Sequence, residues 1–291
     1  MGDEERCRCG GRTLPNENCE VPAEDGLPAQ CVGTWARLKH DRLRTYLDAT
    51  RAVRRRFLPP AGRGGAAFID LFAGPGRVRF RDSLETELGS ALIAQAHAES
   101  PFTHLLYCEL NPDNAGALRE RTKGDARVHI IEGDCNERID DIIALVPPNG
   151  LNLAFFDPFG AKVFQWDTIE RLARVKRMDL LIHFPTNTVK RNLSNPTNPE
   201  FDAVIDRMVG TSDWRSQVHA AKDVARLIDV LRGRLVSLGY DDERVNTLQV
   251  TNDQGGVLYH LVFASKDKRG TAIWKSISRH AGDQRGFGFD A

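Results

Sequence analysis

Phe68-Ile69-Asp70-Leu71-Phe72-Ala73-Gly74-Pro75-Gly76 reads as a buried strand that ends at an acidic residue and passes into a turn carrying two glycines. Glycine permits the close backbone approach such a turn needs, and the crevice beyond the carboxyl end of the first strand is where an open α/β sheet takes its ligand. Working outward, short apolar runs recur at Ala66 to Phe72, His104 to Glu109, Arg127 to Ile131, Asn152 to Phe156 and Asp179 to Phe184. Helical segments at 111–122, 136–145 and 167–175 separate the later ones. Strands alternating with helices at this spacing predict βαβ units and a parallel sheet. The last two runs, Arg244 to Val250 and Val257 to Ser265, are joined by Thr251-Asn252-Asp253-Gln254-Gly255-Gly256. That connection is too short for a crossover helix, so the two runs should pair antiparallel. The expected fold is α/β and Rossmann-like, a mostly parallel seven-stranded sheet closed by a C-terminal antiparallel hairpin.

Residues 1–34, rich in Gly, Pro, Asp and Glu, read as an irregular, cysteine-bearing N-terminal segment, and 35–291 as the main domain. Within that domain Trp35, Leu38, Leu43, Tyr46, Leu47 and Val53 mark an amphipathic N-terminal helix over 35–58, before Pro59-Pro60. Its basic tail, Arg51 with Arg54-Arg55-Arg56, suits a helix C-terminus. The region 187–239 reads as a helical, substrate-side insertion.

Forty Lys and Arg balance forty Asp and Glu, so no global positive field advertises a polyanion partner, and contact with nucleic acid would have to come from local patches. No apolar run reaches the ~20 residues of a membrane span, and the polar start does not resemble a signal peptide, so a cytoplasmic protein without membrane association is expected. Cys7, Cys9, Cys19 and Cys31 cluster near the start. Four thiolates in a loop-rich segment can hold a structural zinc ion, although the spacing matches neither usual Cys-x-x-Cys knuckle; unligated thiols are the alternative.

The glycine turn excludes two familiar phosphate sites. A dinucleotide fingerprint needs a third glycine where Arg79 stands, and a P-loop needs a Gly-Lys-Ser/Thr that is absent. Acids instead occupy the strand ends in order: Asp70, then Glu109, then Asp134 in Gly133-Asp134-Cys135. A carboxylate can accept from both hydroxyls of a ribose, and another from an adenine amino group. S-adenosylmethionine (SAM) carries a sulfonium cation and no phosphate, and suits such an edge. Asp70, Phe72, Gly74, Gly76, Glu109, Asp134 and Cys135 are therefore the expected cofactor-binding residues. Asp70 and Glu109 lie farther apart than the ~20 residues of a compact unit, so the stretch Arg77 to Leu88 looks inserted before a helix with Ser90 as N-cap. Its Arg77, Arg79 and Arg81 suggest a lid, an anion contact or a solvated loop.

The fourth strand ends in Asp157-Pro158-Phe159-Gly160. This resembles the Asp/Asn-Pro-Pro-aromatic signature of amino-directed methyltransferases, with Phe159 at the second proline, and is closer to the Asp-Pro-Phe-Gly of tRNA guanine-N2 dimethyltransferases. A carboxylate and a carbonyl fixed by proline can accept protons of an exocyclic amine and turn its lone pair toward a methyl donor. Asp157, Pro158 and Phe159 are the expected catalytic residues, with Phe159 stacking on the ring; a plain turn favours the same residues. His183-Phe184-Pro185-Thr186-Asn187 and Lys190-Arg191-Asn192 lie at the same edge, and Arg171, Arg174, Lys176 and Arg177 read as a solvated helix face.

Asp70 to Arg77, Gly133 to Asn136, Phe156 to Gly160, Leu181 to Pro185, Leu258 to Ser265, and Asp25-Gly26-Leu27-Pro28 with Cys31-Val32-Gly33 and Trp35 together resemble the three-Cys-motif partner (TcmP) family. The resemblance covers nearly the whole chain. It implies a class I SAM-dependent methyltransferase fold and a partner protein bearing a three-cysteine motif. Transfer of methyl to an exocyclic amino nitrogen of a nucleobase is the leading expectation. The alternatives are a methyltransferase-like subunit that docks the partner with little activity of its own, and a small-molecule or protein methyltransferase.

Overall fold

The computed structural model describes residues 12–13, 19–81, 83–193, 200–221, 224–240, 243, 245–251 and 255–279. Three short strands come first, β1 (Arg12–Thr13), β2 (Cys19–Pro22) and β3 (Pro28–Val32), followed by helix α1 (Trp35–Arg55). Next come β4 (Ala66–Asp70), β5 (Arg77–Phe80), β6 (Thr86–Leu88), α2 (Ser90–Ala96), β7 (His104–Glu109), α3 (Pro112–Arg121), β8 (Val128–Glu132), α4 (Ile139–Ala144), β9 (Leu151–Phe156), α5 (Trp166–Ala173) and β10 (Met178–Phe184). The chain continues through α6 (Thr186–Leu193), α7 (Phe201–Val209), α8 (Trp214–Ala221), α9 (Arg226–Ser237), β11 (Val245–Thr251), β12 (Val257–Ala264) and α10 (Lys268–Arg279).

The large sheet has seven strands in the order β11-β12-β10-β9-β4-β7-β8. Five are parallel, and β12 and β11 add antiparallel to β10 as the closing hairpin. This is the Rossmann-like, mostly parallel seven-stranded sheet with a closing hairpin that the strand rhythm predicts. Strand order reverses between β4 and β9, which opens a crevice at their carboxyl ends. Every residue of β4 is buried, and the period of two splits them between two cores. Ala67 and Ile69 face a core completed by Ile142, Ile169, Leu172, Ile205, Trp214 and Leu231, whereas Ala66 and Phe68 face one completed by Leu43, Leu47, Ile93 and Trp274. Helices thus cover both faces, and the strand ends are fixed from either side.

The N-terminal segment, expected to be irregular, contributes β1, β2 and β3, and the stretch expected to be a loop contributes β5 and β6. Together they form one second sheet in the order β1-β2-β3-β5-β6. Neither half carries enough apolar surface alone. Joined by the parallel pairing of Gln30 with Val78, Cys31 with Arg79 and Val32 with Phe80, they bury Val78, Phe80 and Ala36 in a small core of their own. The helix after this insertion begins one residue earlier than expected: Gly89 is its N-cap and Ser90 its first residue. That shift leaves the Ser90 hydroxyl turned toward the Asp70 carboxyl rather than capping the helix. The basic tail of α1 is largely spoken for. Arg54 is buried, donates to the Leu47 and Ser100 carbonyls and lies over the Phe102 ring at 4.4 Å. Among the described residues no helix is long and apolar enough to cross a membrane.

Candidate active site

Three neighbouring strands deliver Asp70, Glu109 and the Gly133-Asp134 turn to one edge. The Ala73 N–H donates to the Cys108 carbonyl at 3.0 Å, and the Gly133 N–H to the Glu109 carbonyl at 3.0 Å, so the three strand exits are stitched together by backbone. Glu109 then ties the glycine turn down. One of its oxygens accepts from the Gly74 N–H and the other from the Asn111 N–H, both at 2.8 Å. Burial raises its carboxyl while those two N–H groups pull it back. The Asn114 side chain takes a third site among the carboxylate's roughly four lone pairs, which leaves one to offer a ligand.

Asp70 is fully buried, and burial pushes it up to about 7 against the Ser90 hydroxyl and the Phe72 N–H, with the nearby Asp157 adding to the rise. Its Oδ2 is buried without a hydrogen-bond partner. Asp134 is half-buried and receives both the backbone N–H and the side-chain amide of Asn136 on Oδ1, each at 2.8 Å. The Cys135 side chain turns into the core, where burial raises its thiol, so its backbone is what it presents at the rim. Phe72 stands edge-on to Phe156 and to Phe159, with ring centroids 5.2 and 6.4 Å away.

The two glycines serve different needs. Both have left-handed backbone, φ +61° at Gly74 and +89° at Gly76. A Cβ on Gly76 would stand 2.8 Å from Leu118 Cδ1, so the missing side chain there admits the packing of α2 and α3 rather than a ligand. Gly76→Ala is expected to cost about 1–3 kcal/mol from the backbone alone, read as a lowered urea midpoint; an unchanged midpoint would show that the turn relaxes freely. At Gly74 the nearest group is Gln30 of β3, whose Oε1 lies 3.2 Å from where a Cβ would be. The small sheet therefore walls the turn.

Across the crevice stands Asp157, one residue past β9. Burial alone would raise its carboxyl, but the Lys39 ammonium, which bonds Oδ2, and His183, whose Nδ1 lies 3.4 Å from Oδ1, hold it below the usual carboxylate range. Burial in turn drives His183 to about 4 and His40 to about 3, so both rings are neutral near pH 7. Phe159 is 46 % exposed and open to a planar ligand, while Phe156 beneath it is buried. Sequence reasoning reached His183 only as a member of a mixed edge, and missed Lys39, His40 and Tyr259, whose ring lies 4.4 Å from that of His183.

Of the inserted arginines, Arg77 is turned to carboxylates of the N-terminal segment. Arg77 faces Glu24 and Asp25 at 3.8 and 3.7 Å, and lines an open cleft of about 580 Å³ whose other arginines, Arg121 and Arg127, are paired with Asp25 and Asp125. Arg171 likewise bridges Asp140 and Asp167 on its exposed face. Cys19 and Cys31 are buried in β2 and β3, and the register of Glu20 with Gln30 sets them across from one another. Cys7 and Cys9 lie outside the described residues. Among the described residues no group of three or more metal-ligating side chains gathers.

No family model matches the chain, and no curated protein matches it. Comparison with solved structures finds distant likenesses. Protein LPL1258 from Legionella pneumophila str. Philadelphia 1 is 11% identical, with a TM-score of 0.47 over 82% of this chain and 91% of that one. TYW2 from M. jannaschii, solved in complex with AdoMet, is 12% identical, with a TM-score of 0.43 over 85% of each chain. Cofactor-bound Rv0187 from MTB is 10% identical, with a TM-score of 0.44 over 78% of this chain and 80% of that one.

Proposed function

We propose that the chain is a SAM-dependent methyltransferase acting on an exocyclic amino nitrogen of a nucleobase in nucleic acid. The observation that carries the cofactor half is the row of Asp70, Glu109 and Asp134 along adjacent strand ends, with a buried Asp70 oxygen that no protein group satisfies. A buried, unpaired carboxylate oxygen calls for a donor from a ligand. Glu109 and Asp134 would hold the ribose and adenine, and Asp70, with the backbone of the Gly74 turn, the amino-acid end. Bound there, SAM supplies an electrophilic methyl on a sulfonium. The chain's own residues do the rest: Asp157 accepts an N–H of the acceptor, the Pro158 linkage fixes the neighbouring carbonyl, and Phe159 stacks on the ring. Bonding the methyl to nitrogen would break its bond to sulfur, release S-adenosylhomocysteine and send one proton of the nitrogen toward Asp157 or solvent.

Calorimetric titration with SAM and S-adenosylhomocysteine, followed by a tritiated-methyl screen over DNA, RNA and nucleotide pools, tests the two halves separately. Micromolar binding of both ligands is expected, and no binding of either removes the reading. The titration also has a pH sign. A carboxyl raised by folding favours its protonated form, so Asp70 contributes stability to the empty protein that is complete below about pH 4 and is lost as pH rises through about 7. A cationic ligand reverses this preference. SAM affinity is therefore expected to be several-fold greater near pH 8 than near pH 6, and Asp70→Asn to flatten the difference.

The pairing of Asp157 with Lys39 supports a second reading, in which the acidic group is already engaged and the chain is chiefly a docking subunit for a three-cysteine-motif partner, as the TcmP resemblance implies. Recovery of that partner in a pull-down, with SAM bound but no methyl transferred in its presence, favours this reading. The cross-strand placement of Cys19 and Cys31 supports a structural zinc ion completed by Cys7 and Cys9. One zinc per chain in the purified protein, lost in Cys19→Ser, is the expected result, and a metal-free parent removes it.

A further inference from the structure

The carboxylate at the acceptor end is not held by the sheet alone. Asp157 follows β9, yet its cation arrives from α1, a helix that precedes the whole parallel sheet. The Lys39 and Asp157 side chains are only 13% and 18% exposed, so solvent screens their attraction weakly. Helix α1 is fixed in place at two further points. The Tyr259 hydroxyl of β12 donates to the Trp35 carbonyl at 2.9 Å, and the Tyr46 hydroxyl donates to Asp179 at 2.7 Å.

The ionisable groups that face Asp157 come from four elements: Lys39 and His40 from α1, His183 from β10, Tyr259 from β12 and Asp70 from β4. Burial keeps both histidines and the tyrosine neutral, and Asp70 repels a second negative charge. Lys39 is thus the cation of this set. Two other buried carboxyls show what happens where no ammonium bonds the carboxylate: Asp70 rises to about 7 and Asp179 to about 6. A protonated carboxyl donates a hydrogen, whereas an amine to be methylated needs an oxygen that accepts one. The type of cation matters too. A single ammonium contacts Oδ2 and leaves Oδ1, which lies 3.4 Å from the His183 ring without a hydrogen bond from it, to an incoming N–H, where a planar guanidinium would tend to occupy both oxygens.

We propose that Lys39 is a positioning residue of the acceptor site, holding Asp157 as a carboxylate with one oxygen turned to the amine. The proposal rests on the methyltransferase reading for the identity of that amine. The full chain, carrying aspartate labelled with 13C at the carboxyl, is titrated by NMR, with the Asp157 signal assigned by its loss in Asp157→Asn. In the parent the Asp157 midpoint is expected below the usual carboxylate range. Lys39→Met is expected to raise it by about one unit or more, a tenfold or greater change in proton affinity, and Lys39→Arg to restore it. The acid limb of kcat/KM for methyl transfer is expected to move with the midpoint in all three proteins. Lys39→Gln serves as the neutral variant if methionine prevents folding. An Asp157 midpoint unmoved in a folded neutral variant overturns the proposal, as does a moved midpoint with an unmoved acid limb. A parent that binds neither SAM nor S-adenosylhomocysteine fails the methyltransferase reading by itself, so the two failures are told apart.

Discussion

Asp157→Ala is expected to lower methyl transfer by about 10²- to 10⁴-fold, the usual worth of a positioned proton acceptor, while SAM affinity stays nearly unchanged. The residue stands across the crevice from the row of cofactor acids, so its loss reaches the acceptor and not the nucleoside. Its removal also leaves the Lys39 ammonium without its partner, and a stability loss follows from that alone. Asp157→Asn separates the effects, because the amide keeps the volume and offers a carbonyl oxygen but no negative charge. Transfer rates, calorimetric affinities and melting curves for the two variants decide the matter. If Asp157→Ala keeps full transfer activity and remains folded, the assignment of Asp157 to the acceptor fails. If SAM affinity falls as far as the rate, Asp157 belongs to the cofactor site instead.

The second large effect is expected at Glu109. Glu109→Ala strips the buried Gly74 N–H and the half-buried Asn111 N–H of their shared acceptor, at about 1–3 kcal/mol for the buried donor left unmade and less for the other. The same change frees the glycine turn from the end of β7 and removes the carboxylate assigned to the ribose. A fall in melting temperature of roughly 5–15 °C should accompany a loss of SAM affinity of about a hundredfold, the equivalent of 2.7 kcal/mol. Glu109→Gln, which retains one carbonyl oxygen, is expected to fall between alanine and parent on both scales. Lower stability with undiminished SAM affinity would make Glu109 a purely architectural residue and take the ribose contact away from it.

Much of this layout is legible in the chain itself, and the exceptions have a common cause. Strand ends could be placed because short apolar runs bounded by turn residues fix where β4, β7 and β8 stop, and the acids follow directly. What Glu109 holds could not be read, since Gly74 comes beside it only when two parallel strands align. Lys39 and His40 did leave a signal. Both fall within the stripe of α1 that carries Ala36, Leu43 and Leu47, and polar residues inside an apolar stripe ask for a buried partner. The partner, Asp157, is far along the chain, so the sequence shows the question and only the fold answers it. The small sheet follows the same rule. Alternation is visible in Cys19-Glu20-Val21 and in Arg77-Val78-Arg79-Phe80, but each stretch looks like a loop until the other lies next to it.

That arrangement has a temporal consequence. Because β3 lies parallel to β5, its neighbour emerges from the ribosome only after α1 and β4 have been made, and a long stretch of backbone must close before the two can zip together. The edge that shields Gly74 can therefore zip as soon as Phe80 has emerged, while β9, β10 and the closing hairpin are still unmade, and it closes a shorter span of chain than the β4–β9 pairing that opens the crevice.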